Sequence, residues 1–162
     1  MNKDSFERLL SEFSSTIGLP ELSFDEDGMA YLTVDDNHPI IFRRDDARGC
    51  LVLLGQVADT LPTHTDATLW SDMLAMGLKP LRNGEPGMGA DLDSGQVLIH
   101  QSLPLAELHV AQLVDTFFSF IDLQMVWAQR LEASRLSEPQ APSLNQSSTW
   151  LSEKYGHLRN QA

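Results

Sequence analysis

Residues 29–57, MAYLTVDDNHPIIFRRDDARGCLVLLGQV, hold three apolar runs of strand length that are separated by two polar turns. Polarity alternates along the first run, which places successive side chains on opposite faces of a strand. The second run begins at Pro39, and a strand tolerates proline at its first residue. The third run, residues 50–57, is apolar almost throughout and predicts a strand that is buried on both faces. This stretch therefore predicts a three-stranded meander.

The residues before the meander predict an amphipathic helix over 4–17. Its apolar stripe recurs at helical spacing and consists of Phe6, Leu9, Leu10, Phe13 and Ile17. Asp4 is the expected cap of the first turn, with Glu7 three residues on. Gly18 suits the left-handed conformation that ends a helix. Residues 22–25, which precede an Asp-Gly turn signal, predict one more short strand.

The segment after the meander, residues 66–76, predicts a helix with few polar side chains. Only Thr68, Ser71 and Asp72 supply a polar face, and Asp66 is the expected cap. A short helix that is apolar almost all round has to be buried on nearly every side, whereas one sheet covers only one side of it. A second copy of the chain is the expected cover for the remaining sides.

The second half of the chain predicts a hairpin and a long helix. Residues 83–90 form a glycine-rich link, and strands are expected at 88–92 and 96–102 around an Asp-Ser-Gly turn. An apolar helical pattern then runs over residues 105–134, which corresponds to roughly 45 Å of helix. Strands grouped between helices in this way are typical of an α+β fold with a twisted antiparallel sheet and three helices.

The chain is strongly acidic, with 11 Lys and Arg against 23 Asp and Glu in 162 residues and a net charge of −12. Such a surface repels nucleic acid and anionic lipid and attracts a basic partner, although acidity that serves only solubility stays an open alternative. The N-terminal residues lack the apolar core of a signal peptide, and no stretch approaches the ~18 apolar residues of a membrane span. We therefore expect a cytoplasmic protein that binds neither nucleic acid nor membrane.

The sequence lacks the common catalytic and metal-binding patterns. No two of the five histidines lie three or four residues apart, and neither a nucleophile elbow nor a phosphate-binding loop motif occurs. The single cysteine, Cys50, lies in an apolar strand, where a thiol is usually a small buried hydrophobe. The acidic pairs in the turns lack the spacing of a calcium loop. These observations favour a non-enzymatic binding protein without cofactor or metal.

The composition changes at residue 137. Residues 137–148, SEPQAPSLNQSS, contain prolines and serines but no aromatic or β-branched side chain, which predicts disorder. Trp150, Leu151 and Tyr155 follow as an isolated apolar group that either docks on the folded part or has no structural role. The expected organisation is a domain over residues 1–136 and a tail over residues 137–162.

The order of elements resembles the class I type III secretion chaperones of the Tir chaperone (CesT) type. The likeness covers residues 1–134 and includes the acidic character of the chain. The residues that carry it are Phe6, Leu9, Leu10, Phe13, Ile17-Gly18-Leu19, Leu22, Phe24, Asp27-Gly28, Leu69-Trp70 and Leu103-Pro104-Leu105.

The resemblance implies a homodimer that binds an effector in extended form. The middle helix and the second hairpin would meet their copies through Leu69, Trp70, Met73, Met76, Val97 and Ile99. The N-terminal region of a secreted effector would lie on apolar patches and add a strand to a sheet edge, with the patches formed by Phe13, Ile17, Leu32, Val34 and Ile41. The ATPase of the secretion system is a further partner to expect.

Two alternatives to a secretion chaperone remain open at this point. One is a regulatory adaptor of the same fold that binds a folded regulator. The other is a small enzyme whose site has no recognisable motif. Capture of an otherwise insoluble effector would favour the chaperone, whereas binding to a folded regulator alone would favour the adaptor.

Overall fold

The computed structural model describes residues 4–62 and 67–136. The elements in chain order are α1 (Ser5–Thr16), β1 (Met29–Val34), β2 (His38–Asp45), β3 (Cys50–Ala58), α2 (Ala67–Gly77), α3 (Lys79–Asn83), β4 (Gly87–Asp91), β5 (Gln96–Pro104), a 3-10 turn (Leu105–Glu107) and α4 (Val110–Leu136). This order confirms the predicted α+β fold. The predicted tail and the expected cap Asp66 lie outside the described residues.

The five strands form one antiparallel sheet in the order β1-β2-β3-β5-β4. Strand β3 is therefore central, and β1 and β4 are the two edges. The β1–β2 turn contains Asp35 and Asp36 with φ angles of 50° and 59°, the left-handed region that Asp enters more readily than most residues. The sheet thus ends on one side in a short, tightly turned hairpin.

Helices α1 and α4 pack on one face of this sheet. The rings of Phe13 (α1), Phe42 (β2) and Phe117 (α4) are in mutual contact, with centroids 5.0–5.9 Å apart. Gly55 of β3 lies under α4, where an added Cβ would come within 2.9 Å of the Phe120 ring. The close approach explains why the centre of the sheet has a glycine there. We call the opposite side, which no helix layer covers in the described residues, the open face.

One buried polar side chain links α4 to the end of the sheet. Gln124 is fully buried, and its Nε2 donates hydrogen bonds to the carbonyl oxygens of Pro39 at 3.1 Å and Gln56 at 2.8 Å. Pro39 lacks an N–H, and the β3–β5 register shifts between Gln56 and Ala58. The amide of Gln124 therefore supplies donors at a point where the strand ladder is irregular.

The start of α1 is fixed to the sheet by Arg44 of β2. The predicted cap is confirmed, because the Glu7 N–H donates to Asp4 Oδ1 at 2.9 Å. The Arg44 guanidinium binds Asp4 at 2.8 Å and Asp46 at 2.6 Å, and it stacks on the Phe6 ring at 4.9 Å. The hydrogen bond to Asp46 and the charge of Asp4 raise the pKa of Arg44. This cluster holds the first turn of α1 against the sheet.

Three local predictions differ from the structure. Residues 22–25 are not a strand, because the Asp25 N–H bonds back to Met29 O at 2.8 Å and closes a turn. Strand β3 is fully buried only on the helix side and half-buried on the open face, since one layer of helices covers the sheet. The glycine-rich link at 83–90 contains the end of α3 and most of β4.

Candidate functional site

Strand β1 presents an edge of the sheet that is free in the part of the chain that the structure describes. Within that part its only strand partner is β2, with which it pairs from Met29↔Arg43 to Val34↔His38. An edge strand leaves a row of unpaired backbone N–H and C=O groups that can bind another extended chain. The candidate site therefore begins with the backbone of β1.

Apolar side chains flank this edge on both sides of the sheet. Leu32 and Val34 are half-buried on the helix side, where they follow the buried Ala30. Tyr31 lies on the open face beside its cross-strand partner Ile41 and is 59% exposed. A strand added at β1 would find apolar surface above and below it, which is the arrangement that strand addition uses for selectivity.

The edge is acidic at both ends. Asp25, Glu26 and Asp27 precede β1, and Asp35 and Asp36 follow it; all five side chains are exposed. Partial desolvation, together with the charges of Asp25 and Asp27, raises the pKa of Tyr31. The edge therefore attracts an extended segment with basic residues more strongly than an acidic one.

The structure separates the residues that were predicted to bind an effector. Ile17 is half-exposed just after α1, Leu32 and Val34 lie on the helix side, and Ile41 lies on the open face. Phe13 has no exposed surface, because it fills the space between Phe42 and Phe117. Phe13 therefore offers no surface in this conformation, and its contact with an effector stays a prediction. Sequence analysis did not select Tyr31 as a binding residue. The alternation of side chains along β1 nevertheless places Tyr31 on the face opposite to Leu32.

A second apolar surface lies on α2. Its inward residues Leu69, Met73 and Met76 are buried, and α2 packs beside β4. Its outward residues remain exposed in the single chain and continue past the end of the helix: Trp70 is 38% exposed, Leu74 70%, Leu78 49% and Leu81 83%. Four large apolar side chains exposed along one short segment indicate a contact site. We call these four residues the α2 outer surface.

Most of the residues predicted for the dimer interface belong to the core of the protomer. Val97 and Ile99 are completely buried under the helices, and Leu69, Met73 and Met76 retain only 3–8% exposure. They offer a second copy almost no surface in this protomer, so a role for them in an interface stays a prediction. Of the six predicted residues, only Trp70 lies on the α2 outer surface.

An ion pair links α2 to α4. Arg130 of α4 binds Asp72 of α2 at 2.5 Å, and its guanidinium lies 4.4 Å from the centroid of the Trp127 ring of the same helix, α4. Both partners of the ion pair are partly exposed, so the pair orients the helix more than it stabilises the fold. In this orientation the Asp72 side chain of α2 faces α4, and Trp70 and Leu74 point outward.

The described residues offer little for catalysis or metal binding. Within residues 4–62 and 67–136, no group of three or more His, Cys, Asp or Glu side chains is placed to hold a metal ion. In the same ranges no helix has both the length and the apolar character needed to cross a bilayer. Cys50 is half-exposed on the open face, in contrast to the expected burial, and its Sγ lies 3.4 Å from the Arg48 carbonyl oxygen.

The sequence matches the model of the Tir chaperone protein (CesT) family over residues 8–128. The chain belongs to this family. Because the family is one of chaperones, the resemblance noted in the sequence and the prediction of a non-enzymatic protein are both confirmed. No curated protein matches the sequence.

Solved structures show the same fold. A chain of the HopA1–SchA chaperone–effector complex is 28% identical, with a TM-score of 0.67 over 77% of this chain and 94% of that chain. A chain of the ExsC–ExsE complex is 26% identical, with a TM-score of 0.66 over 78% and 92%. The Yersinia pestis type III secretion chaperone SycH, bound to a fragment of YscM2, is 22% identical with a TM-score of 0.61 over 75% and 98%, and supports the fold alone.

Proposed function

We propose that this chaperone binds the N-terminal region of one or more type III secretion effectors in extended form and keeps them soluble and competent for secretion. The observation that carries the proposal is the free edge of β1, which has apolar side chains on both sides. Membership of the CesT family and the likeness to the HopA1–SchA chaperone–effector complex support it.

Strand addition at β1 suits a client that is not folded. Backbone hydrogen bonds to an edge strand do not depend on the sequence of the client, whereas the flanking side chains select alternating apolar residues. The six residues of β1 offer Leu32 and Val34 on one side and Tyr31 on the other. Such an edge recognises backbone in extended form, which an unfolded client can offer along its length, and this favours the chaperone over the adaptor.

We also propose a homodimer in the bacterial cytoplasm, formed through the α2 outer surface. Trp70, Leu74 and Leu78 are spaced four residues apart and are exposed in the single chain. Two copies related by a two-fold axis would cover this surface with itself, as most homodimers do. The dimer would then deliver its client to the ATPase of the secretion system.

Co-expression with the N-terminal region of a type III secretion effector tests client binding. We expect a soluble complex, and Tyr31→Asp should weaken it about tenfold, because the change removes an exposed aromatic side chain from the edge. Phe118→Asp is the matched control, since Phe118 is 52% exposed on α4. Equal affinity of both variants, or binding only to folded proteins, would contradict the proposal.

Sedimentation tests the dimer. Leu74→Asp should give a folded monomer, since it places a charge in the centre of the proposed contact, and Trp70→Asp should act in the same direction. Leu136→Asp is the control, because Leu136 is 76% exposed at the end of α4. A Leu74→Asp variant that sediments as a dimer would rule out this interface.

A further inference from the structure

An open pocket of about 880 Å³ lies at one end of the sheet, next to the end of β1, whose Thr33 lines it; none of its lining residues belongs to the α2 outer surface. It is bounded by the β1–β2 turn, the segment after β3 and the last turns of α4. Its apolar lining consists of Pro39, Val57, Ala58, Leu61, Pro62, Ala128 and Leu131. Such a lining provides space for an aromatic side chain.

The rim of this pocket is acidic. Asp36, Asp59 and Glu132 contribute carboxylates, and Arg135 is the one Arg or Lys among the lining residues. Arg135 already contacts Glu132 of the same helix at 3.4 Å. The rim therefore favours a segment that combines an aromatic residue with basic ones.

The chain itself continues from the edge of the pocket. Residues 128–135 of α4 line it, and the described part ends at residue 136. Residues 150–159, WLSEKYGHLR, follow after thirteen intervening residues and contain Trp150 and Tyr155 with two basic residues against one acidic residue. The intervening residues reach at most ~45 Å when extended, which is ample for a return to the pocket.

We propose that residues 150–159 dock into this pocket of the same chain, with Trp150 on the apolar lining and Lys154 and Arg159 at the acidic rim. The position where the chain leaves α4 and the complementary charges carry the proposal. A tether of this length gives an effective concentration on the order of 1 mM. A contact with an intrinsic dissociation constant of about 0.2 mM is then occupied for most of the time.

Trypsin cleavage after Lys154 in the full-length protein, followed by mass spectrometry without any client, tests the docking. Cleavage should be ~5-fold slower in the wild type than in Trp150→Ser, because only undocked segments are cut. The double variant Asp59→Asn with Glu132→Gln should also be cut faster, since it neutralises the rim without adding a trypsin site. Both changes leave the core residues in place.

The control is the double variant Asp115→Asn with Asp122→Asn, which makes the same change of charge at exposed positions of α4 outside the pocket. It should be cut at the wild-type rate. Equal rates in all four proteins would overturn the proposal. So would protection that disappears on hundredfold dilution, because the occupant would then be the tail of a second copy.

Discussion

Replacing Gln124 with leucine tests whether the irregular end of the sheet depends on a single buried amide. The side chain has no exposed surface, and its Nε2 donates to the carbonyl oxygens of Pro39 and Gln56 at 3.1 and 2.8 Å. Leucine has nearly the same size but no donor. The change therefore removes two hydrogen bonds and leaves the packing against Gly55 almost unaltered.

The expected loss follows from the partners that remain. Each buried carbonyl without a donor costs about 1–3 kcal/mol of unfolding free energy. Gln124 Oε1 is itself buried without a hydrogen-bond partner among the described residues, so its removal offsets about 1 kcal/mol of that cost. The net destabilisation is then about 3 kcal/mol, a large part of the stability of an ordinary domain.

Urea unfolding of the wild type, Gln124→Leu and Gln129→Leu measures this difference. All three proteins have to be compared at one protomer concentration, because association adds to apparent stability. Gln129 is exposed on the same helix, so its variant should stay within ~0.5 kcal/mol of the wild type. A Gln124→Leu protein as stable as the wild type would show that the two carbonyls find other donors, and the reasoning would fail.

Three further outcomes are expected. Gly28→Ala should lower the free energy of unfolding more than Gly49→Ala: both glycines have positive φ, but only at Gly28 would a Cβ approach Arg44 Cγ, at 2.6 Å. The Glu7 N–H and then Arg44 lower the pKa of Asp4, so its carboxylate stabilises the fold above pH ~4, and this contribution is lost as the pH falls through the lowered pKa. Asp4→Asn should therefore be less stable than the wild type at pH 7 in thermal unfolding, and the difference should shrink as the pH falls below ~4. Removal of residues 137–162 should shift the thermal transition by only a few degrees, since a weak tail contact contributes about 1 kcal/mol; a large drop would show that the tail is part of the core.

Local rules of capping and strand alternation predicted much of the fold correctly. The cap Asp4 and the left-handed Gly18 define α1, and the φ of Gly18 is 73°. The three runs in residues 29–57 became β1, β2 and β3 in antiparallel register. These features depend on neighbours within a few residues, and such neighbours are visible in the sequence.

The candidate surfaces were harder to predict, because periodicity tells which residues share a face and not which face is covered. Val97 and Ile99 are two residues apart and therefore share one face of β5, but that face lies under the helices. The same ambiguity affected α2. The methionines at positions 73 and 76 were expected at the dimer interface but point inward, whereas Leu74, which was not selected, points outward. Phe13 was assigned to a binding surface because the residues that bury it lie on β2 and α4, which are distant in sequence. Periodicity within α1 does not reveal those contacts.

Two short elements were missed for a local reason. Helix α3 has only five residues and begins next to Pro80, so its pattern is too short for a period to show. At residues 22–25, Leu22 and Phe24 alternate like a strand, and they do pack against the core. None of the described strands pairs with residues 22–25, and alternation of apolar residues forms a strand only where such a partner exists.

The two proposed surfaces lie at opposite edges of the sheet. Strand β1 is one edge, and α2 packs beside β4, the other edge. Four strand spacings of about 4.8 Å separate these edges by roughly 19 Å. Client binding at β1 and dimerisation through α2 are therefore expected to be independent for a short client segment.

A monomeric Leu74→Asp variant makes this independence measurable. A synthetic peptide that covers only one β1 edge should bind the variant and the wild type with dissociation constants within about twofold of each other, as measured by fluorescence anisotropy. A long client that contacts both protomers should bind the monomer at least ~100-fold more weakly than the dimer. In the monomer the client loses the second binding site, which the dimer holds close to the first one. If the short peptide also loses affinity in the monomer, the dimer helps to form the edge site, and the two surfaces are coupled through the sheet.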